Sequence, residues 1–508
     1  MSTQHVDVLI IGAGVSGIGL ACHLSRNCPE KSLAILERRA DMGGTWDLFK
    51  YPGIRSDSDM FTFGYNFKPW INPQTLADGP SIKNYVREAA AEHGVEDKIH
   101  FNRKVVSSNW STTEGRWTVK VQSQDGGKEE TWTCNFLLGC TGYYNYDQGY
   151  RPEFPGEDDF KGEVIHPQHW PEDLDYKGKK VVVIGSGATA VTLIPAMADD
   201  TAHITMLQRS PTYVFSLPAI DPISSGLQKR LPEKLAYKAN RTRNINFQRF
   251  IYQLSQKQPQ LMRRFILKSA RKQLGKDVDI RHFSPRYNPW DQRMCVVPDG
   301  DLFNVLRDGK ASIVTDHIER FTENGILLKS GKELEADIIV SATGLSVQMM
   351  GGSELNVDGR PVDISDRLTY KSVMVEGVPN YAVIFGYINA SWTLKVDIAA
   401  DYICRLINHM DEKGYDKVVP DSQGAEKSED TVFGALSSGY VQRAANSMPR
   451  QGLSGPWRVS QNYVRDVPML RFAPIEDEHL RFDDAKPAKN GGLVQQIGSS
   501  FKTALGLT

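Results

Sequence analysis

The sequence predicts an α/β fold with two Rossmann-like domains and a helical insertion. Residues 6–11 form a short apolar strand that leads into a glycine-rich turn, a helix over about 15–26 and a strand over 32–37. The same order returns later, with strands over 180–184 and 203–208 around a helix over 190–198. Short, fully apolar strands that alternate with helices are typical of a parallel sheet.

The first glycine-rich turn, residues 12–17, has the pattern G-x-G-x-x-G. Gly12 permits the tight turn, Gly14 lets the backbone approach a pyrophosphate, and Gly17 lets the helix pack on the strand. Glu37 follows at the end of the second strand, where a carboxylate accepts hydrogen bonds from ribose hydroxyls and repels a 2′-phosphate. The first domain is therefore predicted to bind FAD or NAD.

The second glycine-rich turn, residues 185–190, differs at its third position. Gly185 and Gly187 keep the first two glycines, and Ala190 replaces the third. The following strand ends before Arg209 and Ser210, so a cation and a hydroxyl stand where the first domain has an acid. An arginine there pairs with a 2′-phosphate and selects NADPH. Together the two turns predict a flavoprotein that takes electrons from NADPH.

The remaining chain divides by composition and periodicity. Residues 217–290 are predicted to be helical, and we interpret their basic character as a solvated face rather than a nucleic-acid site. The predicted boundaries are 1–150 and 371–482 for the FAD-binding domain, 151–216 and 291–370 for the NADP-binding domain, and 483–508 for a mobile tail. The tail spaces apolar residues on one helical face, which indicates a weak membrane or partner contact or a loosely packed terminal helix.

Composition excludes several classes of protein. Sixty Lys and Arg balance 61 Asp and Glu, so no basic field for nucleic acid is expected. No apolar run reaches the length of a membrane span, and no signal-peptide pattern precedes the first strand. The six cysteines are scattered without a C-x-x-C pair, which favours a reducing, cytoplasmic setting and argues against a metal site.

Three longer motifs resemble the class B flavoprotein monooxygenases, specifically the Baeyer–Villiger monooxygenases. The first spans residues 43–57 and fits the pattern [AG]-G-x-W-x-x-x-x-[FY]-P-G-x-x-x-D. The second spans residues 160–171 and fits F-x-G-x-x-x-H-x-x-x-W-P. The third spans residues 291–301, where the family keeps its catalytic arginine. The motif residues are Gly44, Thr45, Trp46, Asp57, Phe160, Gly162, His166, Trp170, Pro171 and Arg293.

The resemblance implies an enzyme that uses FAD, NADPH and O2. NADPH reduces the flavin, the flavin reacts with O2 to a peroxide, and the peroxide converts a ketone to an ester or lactone, with thioether sulfoxidation as a side activity. Arg293 would stabilise the anionic oxygen, because arginine stays charged when it is buried. Asp57 would orient Arg293. Asp59 competes for this role, since both carboxylates would face the same side of an extended segment.

The resemblance also assigns further residues to the cofactors and the linker. Gly44, Thr45 and Trp46 are expected near the flavin, although a core role for Trp46 is equally compatible. Thr393 begins a helix whose N-terminal amides could face the flavin pyrimidine. His166 is interpreted either as a hinge of the linker between the domains or as a linker residue with a purely structural set of hydrogen bonds.

Three alternatives predict different features. An N- or S-oxygenating flavin monooxygenase carries Tyr or Phe where this sequence has Trp170, and the Asp57 and Arg293 pair also argues against it. A pyridine nucleotide–disulfide reductase needs a C-x-x-x-x-C redox pair beside the flavin, and no pair of cysteines has that spacing. A non-enzymatic scaffold predicts a broken motif, whereas the motifs are complete.

Overall fold

The computed structural model describes residues 3–124, 126–127, 129–434 and 436–484. Its strands are β1 (Thr3–Ile11), β2 (Leu33–Leu36), β3 (Ile99–His100), β4 (Arg103–Ser111), β5 (Arg116–Ser123), β6 (Glu130–Gly139), β7 (Glu163–Ile165), β8 (Lys180–Ile184), β9 (His203–Gln208), β10 (Val214–Leu217), β11 (Cys295–Pro298), β12 (Ala311–Thr315), β13 (Ile318–Thr322), β14 (Gly325–Leu328), β15 (Glu333–Glu335), β16 (Ile338–Ser341), β17 (Glu354–Val357), β18 (Arg360–Pro361), β19 (Thr369–Tyr370), β20 (Met374–Val375), β21 (Tyr381–Val383), β22 (Tyr415–Pro420), β23 (Lys427–Thr431), β24 (Arg450–Gly452) and β25 (Leu480–Asp484).

Helices connect and cover these strands. They are α1 (Val15–Asn27), α2 (Thr45–Leu48), α3 (Met60–Phe63), α4 (Gly79–Glu92), α5 (Ala188–Met197), α6 (Pro222–Arg230), α7 (Glu233–Lys257), α8 (Pro259–Leu274), α9 (Asp301–Arg307), α10 (Trp392–Lys413), α11 (Gly439–Ala444) and α12 (Tyr463–Val467). The helices α6, α7 and α8 follow one another with short connections and form the insertion.

The larger sheet has the strand order β18-β17-β4-β5-β6-β1-β2-β3, and β21 also pairs with β6. Its parallel part runs through β6, β1, β2 and β3, and its antiparallel part through β4, β5 and β6. The helices α1, α4 and α10 bury apolar faces in one core of this unit. Trp110, Trp117 and Trp132 belong to a second core that contains the antiparallel strands.

The second sheet has the order β12-β9-β8-β16-β7 and is parallel throughout. Its core takes apolar side chains from α5, α8 and α9. Both sheets therefore have the strand–turn–helix arrangement that the two glycine turns predict. The α/β fold class with two dinucleotide-binding folds and a helical insertion is confirmed.

Element boundaries follow local capping and pairing. The strands β8 and β9 have the predicted boundaries. The helix predicted over 190–198 instead begins at Ala188, because Gly187 is its extended N-terminal cap. Part of the tail prediction is wrong, since Asp483 and Asp484 extend β25 through its pairing with β22. The rest of the predicted tail, including its apolar helical face, lies outside the described residues.

One predicted domain boundary is wrong. Residues 291–370 were assigned to the NADP-binding domain, but Glu354–Val357 forms β17, which pairs with β4 of the larger sheet. The chain therefore returns to the first domain between β16 and β17, before the predicted boundary. No helix in the described ranges is long and apolar enough to cross a membrane.

Candidate active site

The first glycine turn is shaped by close backbone contacts. Gly12 has a φ of 101°, and a Cβ there would lie 2.7 Å from the Cys140 carbonyl oxygen. A Cβ on Gly17 would lie 1.9 Å from the Gly12 carbonyl oxygen, so the helix packs directly on the turn. Gly14 caps α1 and faces the backbone of Gly44. This arrangement leaves the amides at the start of α1 available to a bound phosphate.

The carboxylate of Glu37 is fixed beside this turn. Its two oxygens accept hydrogen bonds from the Ala13 amide at 2.7 Å and the Arg39 amide at 2.9 Å. Burial raises the pKa of Glu37, although the two backbone donors and the Arg39 charge oppose that shift. The carboxyl group is thus held where a ribose of a bound dinucleotide lies in this fold.

A cavity of about 310 Å³ lies between the first glycine turn, the segment over residues 43–58 and the second domain. Its wall contains eight of the predicted site residues: Gly12, Gly14, Glu37, Gly44, Thr45, Trp46, Asp57 and Arg293. Ala188, Thr189 and Thr192 of α5 contribute the wall from the second domain. The structure therefore brings the first nucleotide turn and the candidate catalytic pair into one cavity.

Arg293 enters this cavity two residues before β11. Its Nε is buried and has no hydrogen-bond partner within the described residues. Tyr143 and Tyr144 line the same wall with their hydroxyls 3.0 Å apart. Burial opposes the charge, but Tyr143, Tyr440, Asp57 and Tyr144 outweigh it and raise the pKa of Arg293 above its usual value. The guanidinium of Arg293 is therefore a buried cation, and its Nε–H remains available to donate a hydrogen bond.

The structure separates the two candidate carboxylates. Asp57 lines the cavity with Arg293, although no ion pair joins the two side chains in the described part of the chain. Asp59 caps α3 and accepts hydrogen bonds from Thr62, Asn244 and Gln248 at 2.6–3.1 Å.

The expectation that both carboxylates face one side is wrong. A bend at residues 57–58 replaces the extended segment, and it turns Asp59 toward α7. Asp59 therefore holds the helix, whereas Asp57 remains available to the cavity.

The three predicted residues of the second glycine turn, Gly185, Gly187 and Ala190, lie outside the cavity wall. Gly185 has a φ of 141°, and a Cβ there would lie 2.3 Å from the Ala342 carbonyl oxygen. Gly187 caps α5 with open space around it, and Ala190 is buried against the second sheet. The three residues shape the turn that follows β8, as the pattern predicts for a second nucleotide site.

Two exposed arginines, Arg209 and Arg443, lie close to each other near the end of β9. Arg209 and Ser210 are exposed directly after this strand. Arg443 lies with its guanidinium 3.5 Å from the Tyr150 ring centroid. Burial and the charge of Arg209 lower the pKa of Arg443, while Tyr150 opposes the shift. Neither arginine forms an ion pair within the described residues, so both can receive an anion.

Comparisons with known proteins agree with this geometry. The model of the flavin-binding monooxygenase-like family matches residues 5–357, which is more than half of the chain. The chain belongs to this family. The probable FAD-binding monooxygenase AlmA of Acinetobacter baylyi is 59% identical over 94% of this chain and 96% of its own. The FAD-containing monooxygenase EthA of Mycobacterium tuberculosis is 54% identical over 94% of this chain and 98% of its own.

Solved structures of monooxygenases share the fold of this family member. A steroid monooxygenase bound to NADP superposes with a TM-score of 0.74 at 22% identity, over 95% of this chain and all of that one. A cyclohexanone monooxygenase superposes with a TM-score of 0.72 at 18% identity, with the same coverage. At these identities the likeness concerns the fold.

The linker of this flavin-binding monooxygenase-like chain is held by His166. Its Nε2 donates to the Gly344 carbonyl at 3.1 Å, and its Nδ1 accepts from the Gln168 amide at 3.2 Å. A Cβ on Gly149 would lie 2.0 Å from the imidazole ring. Burial lowers the pKa of His166, although the backbone carbonyls of Gly344 and Tyr150 oppose this effect. Burial therefore favours the neutral form of His166. Its hydrogen bond to Gly344 joins the linker to the segment that follows β16.

The other linker residues pack against the second domain and do not line the cavity. The Phe160 ring lies edge-on to Phe321, with centroids 6.3 Å apart. A Cβ on Gly162 would lie 2.1 Å from the Asp337 carbonyl oxygen. Trp170 lies edge-on to Tyr176, and the Pro171 carbonyl accepts from the Leu174 amide. These contacts hold the linker on the second domain.

The predicted contact of Thr393 with the cofactor rests on the backbone amides at the start of α10, and the residue itself does not line the cavity. Its hydroxyl is buried and donates to the Phe63 carbonyl at 2.5 Å, which ties the start of α10 to α3. The preceding Trp392 lines the cavity and donates from Nε1 to Ser16 at 2.7 Å. Trp392 therefore lies closer to the candidate site than Thr393.

Several tyrosines that the sequence motifs did not indicate lie in the cavity wall or near Arg293. Tyr143, Tyr144 and Tyr146 line the cavity, and Tyr440 lies close enough to affect Arg293. The first three directly follow the turn over residues 140–142 at the end of β6. Residues after a parallel strand face the ligand-binding edge of such a sheet, so this position carried a usable signal.

Proposed function

We propose that the protein is an NADPH- and O2-dependent flavin monooxygenase that converts ketones to esters or lactones. Membership of the flavin-binding monooxygenase-like family supports the flavin and the oxygenase chemistry. The observation that carries the ketone reaction is the position of Arg293. Its charged side chain, with a free Nε, lies in the same cavity as the first nucleotide turn.

The first turn and the opposite loop fit FAD. A Cβ on Gly44 would lie 2.9 Å from the Gly14 Cα, so the two backbones pack closely and only glycine leaves the turn open to a pyrophosphate at its edge. Glu37 suits a ribose hydroxyl and lies in the same wall. Bound FAD supplies hydride acceptance from NADPH and the activation of O2.

The residues of the chain would control charge around the reacting oxygen. Arg293 would donate to the oxygen that becomes negative when a ketone carbonyl is attacked. Such a preorganised donor contributes about 2.7–4 kcal/mol to lowering the barrier. Asp57 would orient the guanidinium without forming a tight pair with it, which keeps Nε available. Tyr143 and Tyr144 would exclude water from that side.

Arg209 and Arg443 support NADPH as the electron donor. Both cations lie near the end of β9, the place where a 2′-phosphate is read in this fold. Thr189 and Thr192 of α5 bring the second domain to the cavity wall. A nicotinamide held by the second domain would therefore reach the flavin from this side.

Thioether sulfoxidation belongs to the same proposal as a side activity, because an oxygen donor of this kind also reacts with soft sulfur. The alternative is an enzyme whose main products are N- or S-oxides. Trp170 packs on Tyr176 away from the cavity, so the distinction depends on Arg293 rather than on the linker tryptophan.

A product assay tests the proposal. The FAD-loaded protein would be supplied with NADPH, O2 and, in parallel, 2-octanone, a thioether or a tertiary amine, and the products would be separated by gas chromatography. We expect ester from the ketone and a slower yield of sulfoxide. N-oxide as the main product, with no ester from ketones of several chain lengths, would replace the proposal with the alternative.

A further inference from the structure

The insertion exposes large apolar side chains on each of its two longest helices. Phe247 and Phe250 of α7 and Leu261 and Phe265 of α8 are between 54% and 59% exposed. The members of each pair lie three or four residues apart and so share a helix face. Only Gln258 separates the two helices. We call these four residues the apolar patch.

The insertion also concentrates positive charge. Between Pro222 and Leu274 the sequence has 13 Lys or Arg and one acid, Glu233, whereas the whole chain has a net charge of −1. Arg241 pairs with Asp397, and Arg243 pairs with Asp221. The cations of this stretch that form no ion pair within the described residues are Lys229, Arg230, Lys234, Lys238, Arg249, Lys257, Arg263, Arg264, Lys268, Arg271 and Lys272.

Charge and apolar surface coincide on α8. Lys268 and Lys272 are exposed and follow Leu261 and Phe265 at intervals of three and four residues, so all four lie on one face. A solvated basic face would account for the lysines but not for the exposed phenylalanines. Exposed aromatic residues among Lys and Arg are typical of helices that lie in a membrane interface.

We propose that the insertion docks on the surface of an anionic lipid bilayer. The apolar patch would enter the boundary between headgroups and acyl chains, and the surrounding cations would pair with lipid phosphates. The long stems of Lys268 and Lys272 reach past the apolar contacts to the headgroups. A second copy of the chain is a poor occupant, because two such faces would repel each other.

The docking surface and the cavity share one helix. On this helix, α7, Asn244 and Gln248 donate from their side-chain amides to Asp59 at 2.8 and 2.6 Å. Asp59 lies two residues from Asp57 in the cavity wall. A bilayer bound at the apolar patch would therefore contact the same helix that holds Asp59. The proposal itself concerns binding and does not depend on the oxygenase reaction.

Vesicle sedimentation of the full-length, FAD-loaded protein tests this proposal. One set of vesicles would contain phosphatidylglycerol and phosphatidylcholine, and the other phosphatidylcholine alone. We expect sedimentation with the first set, at least about tenfold less with the second, and loss of binding as salt is raised. Equal binding to both sets, or no binding to anionic vesicles, would overturn the proposal.

Substitutions in the insertion test where the membrane-binding surface lies. Phe247→Ser with Phe250→Ser, and Lys268→Glu with Lys272→Glu, should each lower the partition coefficient for anionic vesicles about tenfold or more. Phe472→Ser is the matched control, because Phe472 is 75% exposed and lies outside the insertion. Melting temperatures would verify that each variant is folded.

Two results would contradict this location. One is unchanged binding by both double variants. The other is a concentration-dependent dimer, seen by light scattering, that the phenylalanine substitutions abolish while vesicle binding persists, which would assign the apolar patch to a second copy.

Discussion

At the residue scale, the proposed reaction depends most on the side chain of Arg293. Its pKa is raised despite burial, and its Nε has no partner among the described residues. We expect Arg293→Ala to lower ester formation by a factor of about 10²–10³, which corresponds to the loss of one preorganised donor. Flavin reduction by NADPH should persist, because that step does not need the cation. Stopped-flow reduction and product analysis measure the two steps separately.

Arg293→Lys is the control for this substitution. Lysine keeps a positive charge but lacks the planar fork of donors. We expect it to recover part of the ester yield. Equal ester yields for the alanine variant and the unmodified protein would remove Arg293 from the proposed reaction.

Gly44 offers a second test at the residue scale. It has a φ of 59°, and a Cβ there would lie 2.9 Å from the Gly14 Cα. We expect Gly44→Ala to lose bound FAD, measured as the ratio of flavin absorbance to protein absorbance after purification. Gly178→Ala is the matched control, because Gly178 has a φ of 65° but nothing within 4 Å. Full flavin content in the Gly44 variant, or an equal loss in the Gly178 variant, would contradict this role of Gly44.

Some residue positions in the candidate site could not be predicted from the sequence. The motif register singled out Asp57 over Asp59, but spacing alone could not separate two carboxylates in a segment of unknown conformation. The bend at residues 57–58 separates them, and it is stabilised by partners on α7 that lie far away in the sequence. Tyr440 was missed for the same reason, since its relation to Arg293 depends on tertiary folding.

At the element scale, a buried ionic network joins α1, α7 and α10. His23 lies 3.3 Å from Asp397 and 3.2 Å from Asp401, and Asp397 also pairs with Arg241 at 2.7 Å. Burial opposes the charge of His23, but the two carboxylates outweigh it and raise its pKa to about 8. The network therefore stabilises the fold most when His23 is protonated.

The pH dependence of stability follows from this shift. The folded-state pKa of about 8 exceeds the usual value near 6.5, so the contribution is complete below pH 6.5 and is lost as the pH rises through 8. Its size is about 2 kcal/mol. We expect the melting temperature to fall over this interval, and His23→Gln to remove that fall. The same fall in the variant would assign it to other groups.

Elements differ in how well the sequence predicted them. The strand β8 has the predicted boundaries because its apolar run ends at a glycine turn, and β9 because polar residues stand at both ends of its mainly apolar run. The return of β17 to the larger sheet was not predicted, since a strand of four residues carries no signal for which sheet it joins. The antiparallel strands β4 and β5 were not predicted, although apolar and polar residues alternate in β5.

At the scale of the whole molecule, both nucleotide folds contribute residues to one cavity, and they carry opposite charges after their second strands. Glu37 lies beside the first turn, and Arg209 follows β9 of the second domain. We expect Arg209→Ala to raise the KM for NADPH about 10–100-fold, because a charged hydrogen bond contributes about 1.5–3 kcal/mol. The KM for NADH should stay unchanged. Steady-state oxidation of both nucleotides measures the ratio.

Arg360→Ala is the control for nucleotide selection. Arg360 is also exposed but lies on β18 at the edge of the larger sheet. It should leave both KM values unchanged. An equal rise for NADPH and NADH in the Arg209 variant would show that Arg209 does not read the 2′-phosphate.

The fate of the two oxygen atoms of O2 distinguishes ketone oxygenation by this protein from simple release of hydrogen peroxide. The FAD-loaded protein would be reduced anaerobically with NADPH, then mixed with 18O2 and 2-octanone, and the ester would be analysed by mass spectrometry. We expect one 18O atom in each ester molecule and the other in water, and about 10²–10³-fold less ester from Arg293→Ala. Recovery of all the oxygen as hydrogen peroxide, with the ketone unchanged, would contradict it.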